Sequence, residues 1–345
     1  MNYELLEKLC NTPGVSGYED PIQKVVIDEL QPFCDKVYKD RMGNVIGLKK
    51  ATEKVDGERP LRAVIAAHSD ECGMYVRGFA PDGCIQLSAI SGRQMDAKLG
   101  QDVIIYGKEE VSGVIIPQEA KTVEDLLVDT GRSREWIEER VSIGDIVVLD
   151  AKCRWINDKV VAARNFDDRL GTYALIEIAK RIKKTRVDLD LVSTVQEELG
   201  VRGMPVAASV IDPDVGLAID GTVAGDGGEF HPHIKLGDGA GIYVMDRLTI
   251  NNQSLVKFLY TICDEGNIKY QKSYAGGTDA SAIQRTGSGA LSATVGAPTR
   301  YMHTPVSIAH VYDIDATVEL LLTFCKNIHK MPEASIDPWQ EVTGS

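Results

Sequence analysis

Five places in the 345-residue chain supply side chains that bind divalent metals: His68 with Asp70, Asp167 with Asp168, Glu197 with Glu198, Asp220, and His303. Each follows an apolar run that reads as a strand or near-strand: LRAVIAA before His68, KVVAARNF before the aspartate pair, LDLVSTVQ before the glutamate pair, VGLAI before Asp220, and LSATVGAPTRYM before His303. In open α/β sheets the functional crevice lies beyond the carboxyl ends of the strands, so these exits should gather the side chains at one edge. Singly, each has a plain structural reading. A lone histidine after a strand is commonly a hydrogen-bonded core residue, an acidic pair in a loop is commonly solvated, and Asp220-Gly221 is a turn signal. Together, two imidazoles and three carboxylates suffice for two divalent ions sharing one bridging carboxylate. That donor set suits zinc, and also cobalt or manganese.

The adjacent glutamates in STVQEELGVRG need a reason to stand side by side. Neighbouring residues at a strand exit can point in different directions. Glu198 can then ligate a metal while Glu197 faces a water as general base, taking its proton and handing it to a leaving amine. Cations lying between the two make the like charges tolerable. Asp70, two residues from His68, can accept the ring's other N–H and fix its tautomer.

The elements that must position these residues follow an α/β rhythm. Asp20-Pro21 marks a helix start, and Leu170 to Ile182, Leu255 to Ile262 and Asp315 to Ile328 are helical by period. NVIGL, LRAVIAA, VDLDLVSTV, VGLAID and LSATVG alternate with them as apolar strands, which implies a mostly parallel sheet with helices on both faces. Between Gly73 and Val161 the texture changes to short runs such as CIQLSAI, DVIIYG, VSGVIIP and DIVVLD, with one helical patch at SREWIEER. The division predicted is an α/β domain of residues 1–72 and 162–345, interrupted by an inserted β-rich unit of residues 73–161.

Composition narrows the partners. Lys and Arg total 38 against 51 Asp and Glu, a net charge of −13. Such a surface repels phosphate backbones and anionic lipids, so neither nucleic acid nor membrane is expected as a partner. No run approaches the roughly 20 apolar residues of a membrane span. MNYELLEKLC reads as an amphipathic helix, with Leu5, Leu6 and Leu9 on one face, and not as a secretory signal. The seven cysteines are odd in number and lack a CxxC pair, the pattern of reduced thiols in a cytoplasmic protein.

The motifs His68-Ser-Asp70-Glu71-Cys72-Gly73, Asn165-Phe-Asp167-Asp168-Arg169, Thr194-Val-Gln196-Glu197-Glu198-Leu-Gly200-Val-Arg202-Gly203, Gly277-Thr278-Asp279-Ala280 and Pro298-Thr299-Arg300-Tyr301-Met302-His303-Thr304-Pro305 resemble those of the M42 metallo-aminopeptidases, in order over nearly the whole chain. The resemblance implies a phosphorylase/hydrolase-like zinc peptidase fold with an inserted β-barrel-like dimerisation domain. It also implies two zinc or cobalt ions and removal of N-terminal residues from peptide substrates. His68, Asp167, Glu198, Asp220 and His303 are the ligands it implies, with Glu197 as base. Asp167 is preferred to Asp168 as the bridge, since related di-metal peptidases use the first Asp of such a pair, followed by a cis peptide. The family assembles as dimers, hexamers or tetrahedral twelve-subunit particles.

Some residues depart from the pattern or carry two readings. Cys72 stands where the motif more often has an aliphatic residue; it reads as a small buried side chain, with ligation the alternative. Asp226, His231 and His233 lie in a stretch unlike the family's, read as a solvated loop with a stray metal site as the alternative. Arg300 could meet a substrate carboxylate or pack beneath His303. Thr278-Asp279 could shape the pocket or cap a helix. Two rival functions remain: a glycoside hydrolase, which needs two carboxylates and leaves the histidines idle, and a metal-free scaffold.

Overall fold

The computed structural model describes residues 1–53, 59–91, 98–116, 122–227, 233–274, 276–331 and 334. Its centre is an eight-stranded sheet. Four parallel neighbours form the middle: Asp188–Thr194, Arg62–His68, Val215–Ile219 and Leu291–Gly296. Val45–Lys49 and Lys36–Lys39 extend one side antiparallel, and Ala240–Met245 joins the other side antiparallel before pairing in parallel with Tyr270–Tyr274. The expected mostly parallel sheet therefore holds at the centre, where it matters for the site.

The apolar run at 62–68 is covered on both faces because strand side chains alternate. Ala63, Ile65 and Ala67 enter a large core with the helices Tyr3–Asn11, Asp20–Leu30, Phe166–Arg181, Gln253–Glu265 and Val311–Asn327. Val64 and Ala66 enter a smaller core on the opposite face with Met204–Ile211 and Ala280–Gln284. Each fully buried Val or Ile of this strand contributes on the order of 1.5–3 kcal/mol, which holds its carboxyl end in place. The amphipathic first helix buries Leu5, Leu6, Leu9 and Cys10, and the Asn2 side chain caps it by accepting from the Leu5 amide.

Six strands between Gly73 and Leu149 close into a barrel around a separate core that includes Met74, Ile85, Val103, Ile105, Val128 and Val147. After the barrel, Arg154–Trp155 and Val160–Ala163 do not stay with it. They pair into a five-stranded sheet with Ser307–His310, Pro298–Arg300 and Thr222–Val223. The sequence pattern did not reveal this second sheet, whose strands are short and gathered from three distant segments.

Candidate metal centre

The register aligns the exits of the central strands. Thr194 pairs with His68, and Ile219 pairs with Ala67 and Val295. His68, the glutamate pair and Asp220 thus leave the sheet at one level. Asp167 and His303 differ from the sequence expectation in their origin: they come from the five-stranded sheet, after Val160–Ala163 and Pro298–Arg300. The site is built between two sheets and not along one edge.

Asp167 is the point where the two halves meet. Its Oδ1 lies 3.1 Å from His68 Nε2 and its Oδ2 lies 2.9 Å from His303 Nε2. His303 Nε2 is also 3.4 Å from Glu198 Oε1. Asp168, across a cis peptide, turns away: its Oδ1 accepts from the Gly171 amide and its Oδ2 is buried without a partner. His303 sits in the left-handed region (φ 61°), as does Tyr301 (φ 57°). Side chains rarely adopt that conformation. Thr304 and Ser307 hold the turn by donating to the Tyr301 carbonyl.

Asp70 does more than the sequence reading assigned to it. The nearer partner of His68 Nδ1 is the Asp70 backbone carbonyl at 3.1 Å, with the carboxylate at 3.6 Å. The carboxylate is held by Ser16 Oγ at 2.6 Å and accepts the amides of Glu197 at 3.0 Å and Glu198 at 3.2 Å. One buried residue therefore sets both, the imidazole through its backbone carbonyl and the glutamate turn through its carboxylate. Beyond that turn, the Glu197 carbonyl accepts from the amides of Gly200 and Val201.

Electrostatics separate the carboxylates. Burial opposes ionisation of Asp167, yet hydrogen bonds from His303 and His68 hold it well below the usual carboxylate range. Burial likewise opposes charge on both histidines, but Asp167 and its acidic neighbours raise them. Burial pushes Glu197 well above its ordinary value, against the pull of His68 and with the help of Asp279, Glu198 and Asp70. Burial and the charges of Asp167 and Glu197 do the same to Asp220. Glu197 and Asp220 are thus both buried carboxyls whose surroundings favour the protonated form.

Two donor groups emerge: His68, Asp167 and Asp220, and Cys72, Glu198 and His303. Within each, the donor atoms lie within 4.8 Å of one another. That spread and that chemistry, imidazole with carboxylate, fit a divalent cation. Cys72 Sγ is 3.0 Å from Glu198 Oε1. Burial and the Glu198 charge push its thiol up to about 12.

A cavity of about 390 Å³ opens onto Asp167, Glu197, Glu198, Asp220 and His303, and is walled by Val201, Tyr243, Arg247, Leu248 and Met302. Thr278 and Gly277 also line it, while Asp279 lies behind, accepting from Thr194 Oγ1 at 2.6 Å. Arg300 is committed to Asp226 through two hydrogen bonds of 2.7 and 2.5 Å. His233 stacks on Tyr274, away from the cavity, and His231 lies outside the described residues. Sequence reasoning gave no role to Ser16, Ser91 or Arg247; only the fold carries them to the site.

The family model for M42 glutamyl aminopeptidases matches residues 43–320. A lysyl aminopeptidase of Pyrococcus furiosus is 32% identical over 353 residues, covering 96% of this chain and 99% of its own. The aminopeptidase APDkam598 of Desulfurococcus kamchatkensis superposes with a TM-score of 0.92 at 30% identity, covering 99% of this chain and 98% of its own. The TET1 peptidase of Pyrococcus horikoshii, which can assemble into a tetrahedron or a large octahedral shell, superposes with a TM-score of 0.84 at 29% identity, over 94% and 99% of the two chains.

Proposed function

Because the chain belongs to the M42 glutamyl aminopeptidase family of hydrolases, we propose that it is a dinuclear metallo-aminopeptidase that releases N-terminal residues from peptides. The observation that carries the reading is Asp167, whose two carboxylate oxygens reach His68 at 3.1 Å and His303 at 2.9 Å. His68, Asp167 and Asp220 would hold one divalent ion, and Glu198 and His303, with Asp167 between the two groups, would hold the other. When bound, zinc or cobalt (or manganese) supplies positive charge that lowers the pKa of a water and polarises a peptide carbonyl.

The chain's own residues do the rest. Glu197 takes the proton of the attacking water and delivers it to the departing amine nitrogen. Its high proton affinity, set by burial among acids, supports the second half of that task. Asp70 orients His68 through its carbonyl and holds the Glu197 and Glu198 amides. The cavity walled by Arg247, Leu248 and Met302 receives the N-terminal residue.

Residues 1–72 and 162–345 are the catalytic unit in this reading. Residues 73–161 carry an inserted unit that pairs subunits; the closed barrel of Gly73–Leu149 and its separate core support it, while Arg154–Trp155 and Val160–Ala163 join the sheet of Ser307–His310 on the catalytic side. The chain acts as a homo-oligomer, built from dimers and extending to a tetrahedral particle as in the TET1 peptidase. It works in the cytoplasm, where its seven free cysteines stay reduced. Among the described residues no helix is long and apolar enough to cross a membrane. A glycosidase would leave the two histidines on Asp167 without a task.

The test is hydrolysis of a panel of aminoacyl chromogenic substrates before and after chelation, then after return of Zn²⁺ or Co²⁺. Metal-restored release of one residue class is expected. Protein carrying two ions that cleaves nothing would favour the scaffold reading, and chelator-resistant glycoside hydrolysis would favour the glycosidase.

A further inference from the structure

We propose that Cys72 is a metal ligand in this chain, its thiolate joining Glu198, His303 and the shared Asp167 in a sulfur-containing donor set for one of the two ions. The inference rests on the dinuclear reading above and adds a donor to it. The geometry is convergent. A single oxygen, Glu198 Oε1, lies 3.0 Å from Cys72 Sγ and 3.4 Å from His303 Nε2. His303 Nε2 is in turn 2.9 Å from Asp167 Oδ2. Metal–ligand bonds of about 2.0–2.3 Å in a tetrahedron separate neighbouring donors by about 3.3–3.8 Å. The cluster needs only small outward shifts to surround one cation. The other Glu198 oxygen is occupied by Ser91 Oγ at 3.0 Å, which leaves Oε1 turned toward the sulfur and the imidazole.

The consequence is an asymmetric centre. The His68 side offers only nitrogen and oxygen. The Cys72 side adds a soft sulfur, which favours zinc or cobalt over manganese and magnesium. On coordination the thiol gives up its proton to solvent. The two ions then exchange differently: hard cations replace the one beside Asp220, and zinc or cobalt persists beside Cys72.

Cobalt reports on sulfur directly. The full chain is stripped, loaded with Co²⁺, counted by elemental analysis, and read for thiolate-to-cobalt charge-transfer absorption in the near ultraviolet. The expected result is two cobalt ions per chain with that band present. Cys72→Val and Cys72→Ser should both lose the band, and both should still bind the ion on the His68 side. Two cobalt ions with no band, or a band that survives in both variants and so arises from another cysteine, overturns the proposal and leaves the dinuclear reading intact. Failure of the wild-type chain to bind stoichiometric cobalt overturns both.

Discussion

Residues 70 and 71 are neighbours in sequence but serve two different buried charge clusters. Glu71 is met by Arg164 at 2.7 and 3.0 Å, by Arg169 at 3.3 Å, by Asn165 at 3.0 Å and by the Gly14 amide at 3.2 Å. Arg169, wholly buried, spends its remaining donors on the carbonyls of Ser69, Leu9 and Thr12. That cluster is self-contained. On the other side, Asp167, Glu198, Asp220 and Glu197 converge, and among the described residues their ion pairs are to His68 and His303 alone. Desolvating a carboxylate costs several kcal/mol unless charge and hydrogen bonds repay it. The first cluster repays it with arginine, and the second is arranged to be completed by cations.

The largest effect should come from removing the shared carboxylate. Asp167→Asn should lower kcat/KM by on the order of 10³-fold or more and reduce bound metal below the wild-type count, measured by steady-state kinetics and elemental analysis. Unchanged metal content would break the contrast between the clusters. Glu197→Gln should keep both ions yet lose ~10²–10⁴-fold in kcat. Retention of most turnover with metal bound would remove Glu197 as base.

Glu71→Gln tests the self-contained cluster. It leaves buried guanidinium charge uncompensated, so urea unfolding should show a loss of about 3–5 kcal/mol that added zinc does not repair. A loss below ~1 kcal/mol would mean that the arginine cluster is dispensable. Chelation of the wild type should cost about 2.7 kcal/mol per ion, on the order of 5 kcal/mol for two, relative to free metal held at roughly 100 times each Kd. The same decrement should appear in the Glu71→Gln background, since the two clusters satisfy their charges separately.

The smallest expected effect concerns a carboxylate with neither kind of compensation. Asp190 lies mid-strand, 2% exposed, with one oxygen buried and unpartnered. Burial raises it to about 6, with Arg62 only partly opposing. Its folded proton affinity exceeds that of the unfolded chain, near 3.9, so its contribution to stability is present below about pH 4 and is lost as pH rises through 6. Asp190→Asn should therefore stabilise the protein by about 1–2 kcal/mol at pH 7 and by little at pH 4. An advantage independent of pH would argue against a buried ionising group.

Much of the architecture was legible because burial on two faces leaves a nearly continuous apolar trace at 62–68, and at 188–194 one interrupted by polar residues such as Asp190. The helix after Asp168 and the final helix were legible by period, although the latter begins at Val311, four residues before the expected start. The five-stranded sheet was not, because its strands of two to four residues carry no period of their own. Arg300 illustrates the same limit. Its type suited either a substrate carboxylate or packing beneath His303, and the fold pairs it with Asp226, 74 residues away.

By itself, the sequence determined which donors the site could use, their order along the chain, and the apolar strands that deliver three of the five positions to one level. Only the tertiary structure decided that Asp167 and not Asp168 faces both histidines, that Asp70 holds the glutamate turn, and that Cys72 adjoins Glu198. The reason is range. The contacts of Asp167 join residues 99 and 136 positions apart. The direction of each donor depends on backbone turns such as the left-handed one at His303. Local pattern specifies a side chain's type, whereas packing between two sheets specifies where its atoms point.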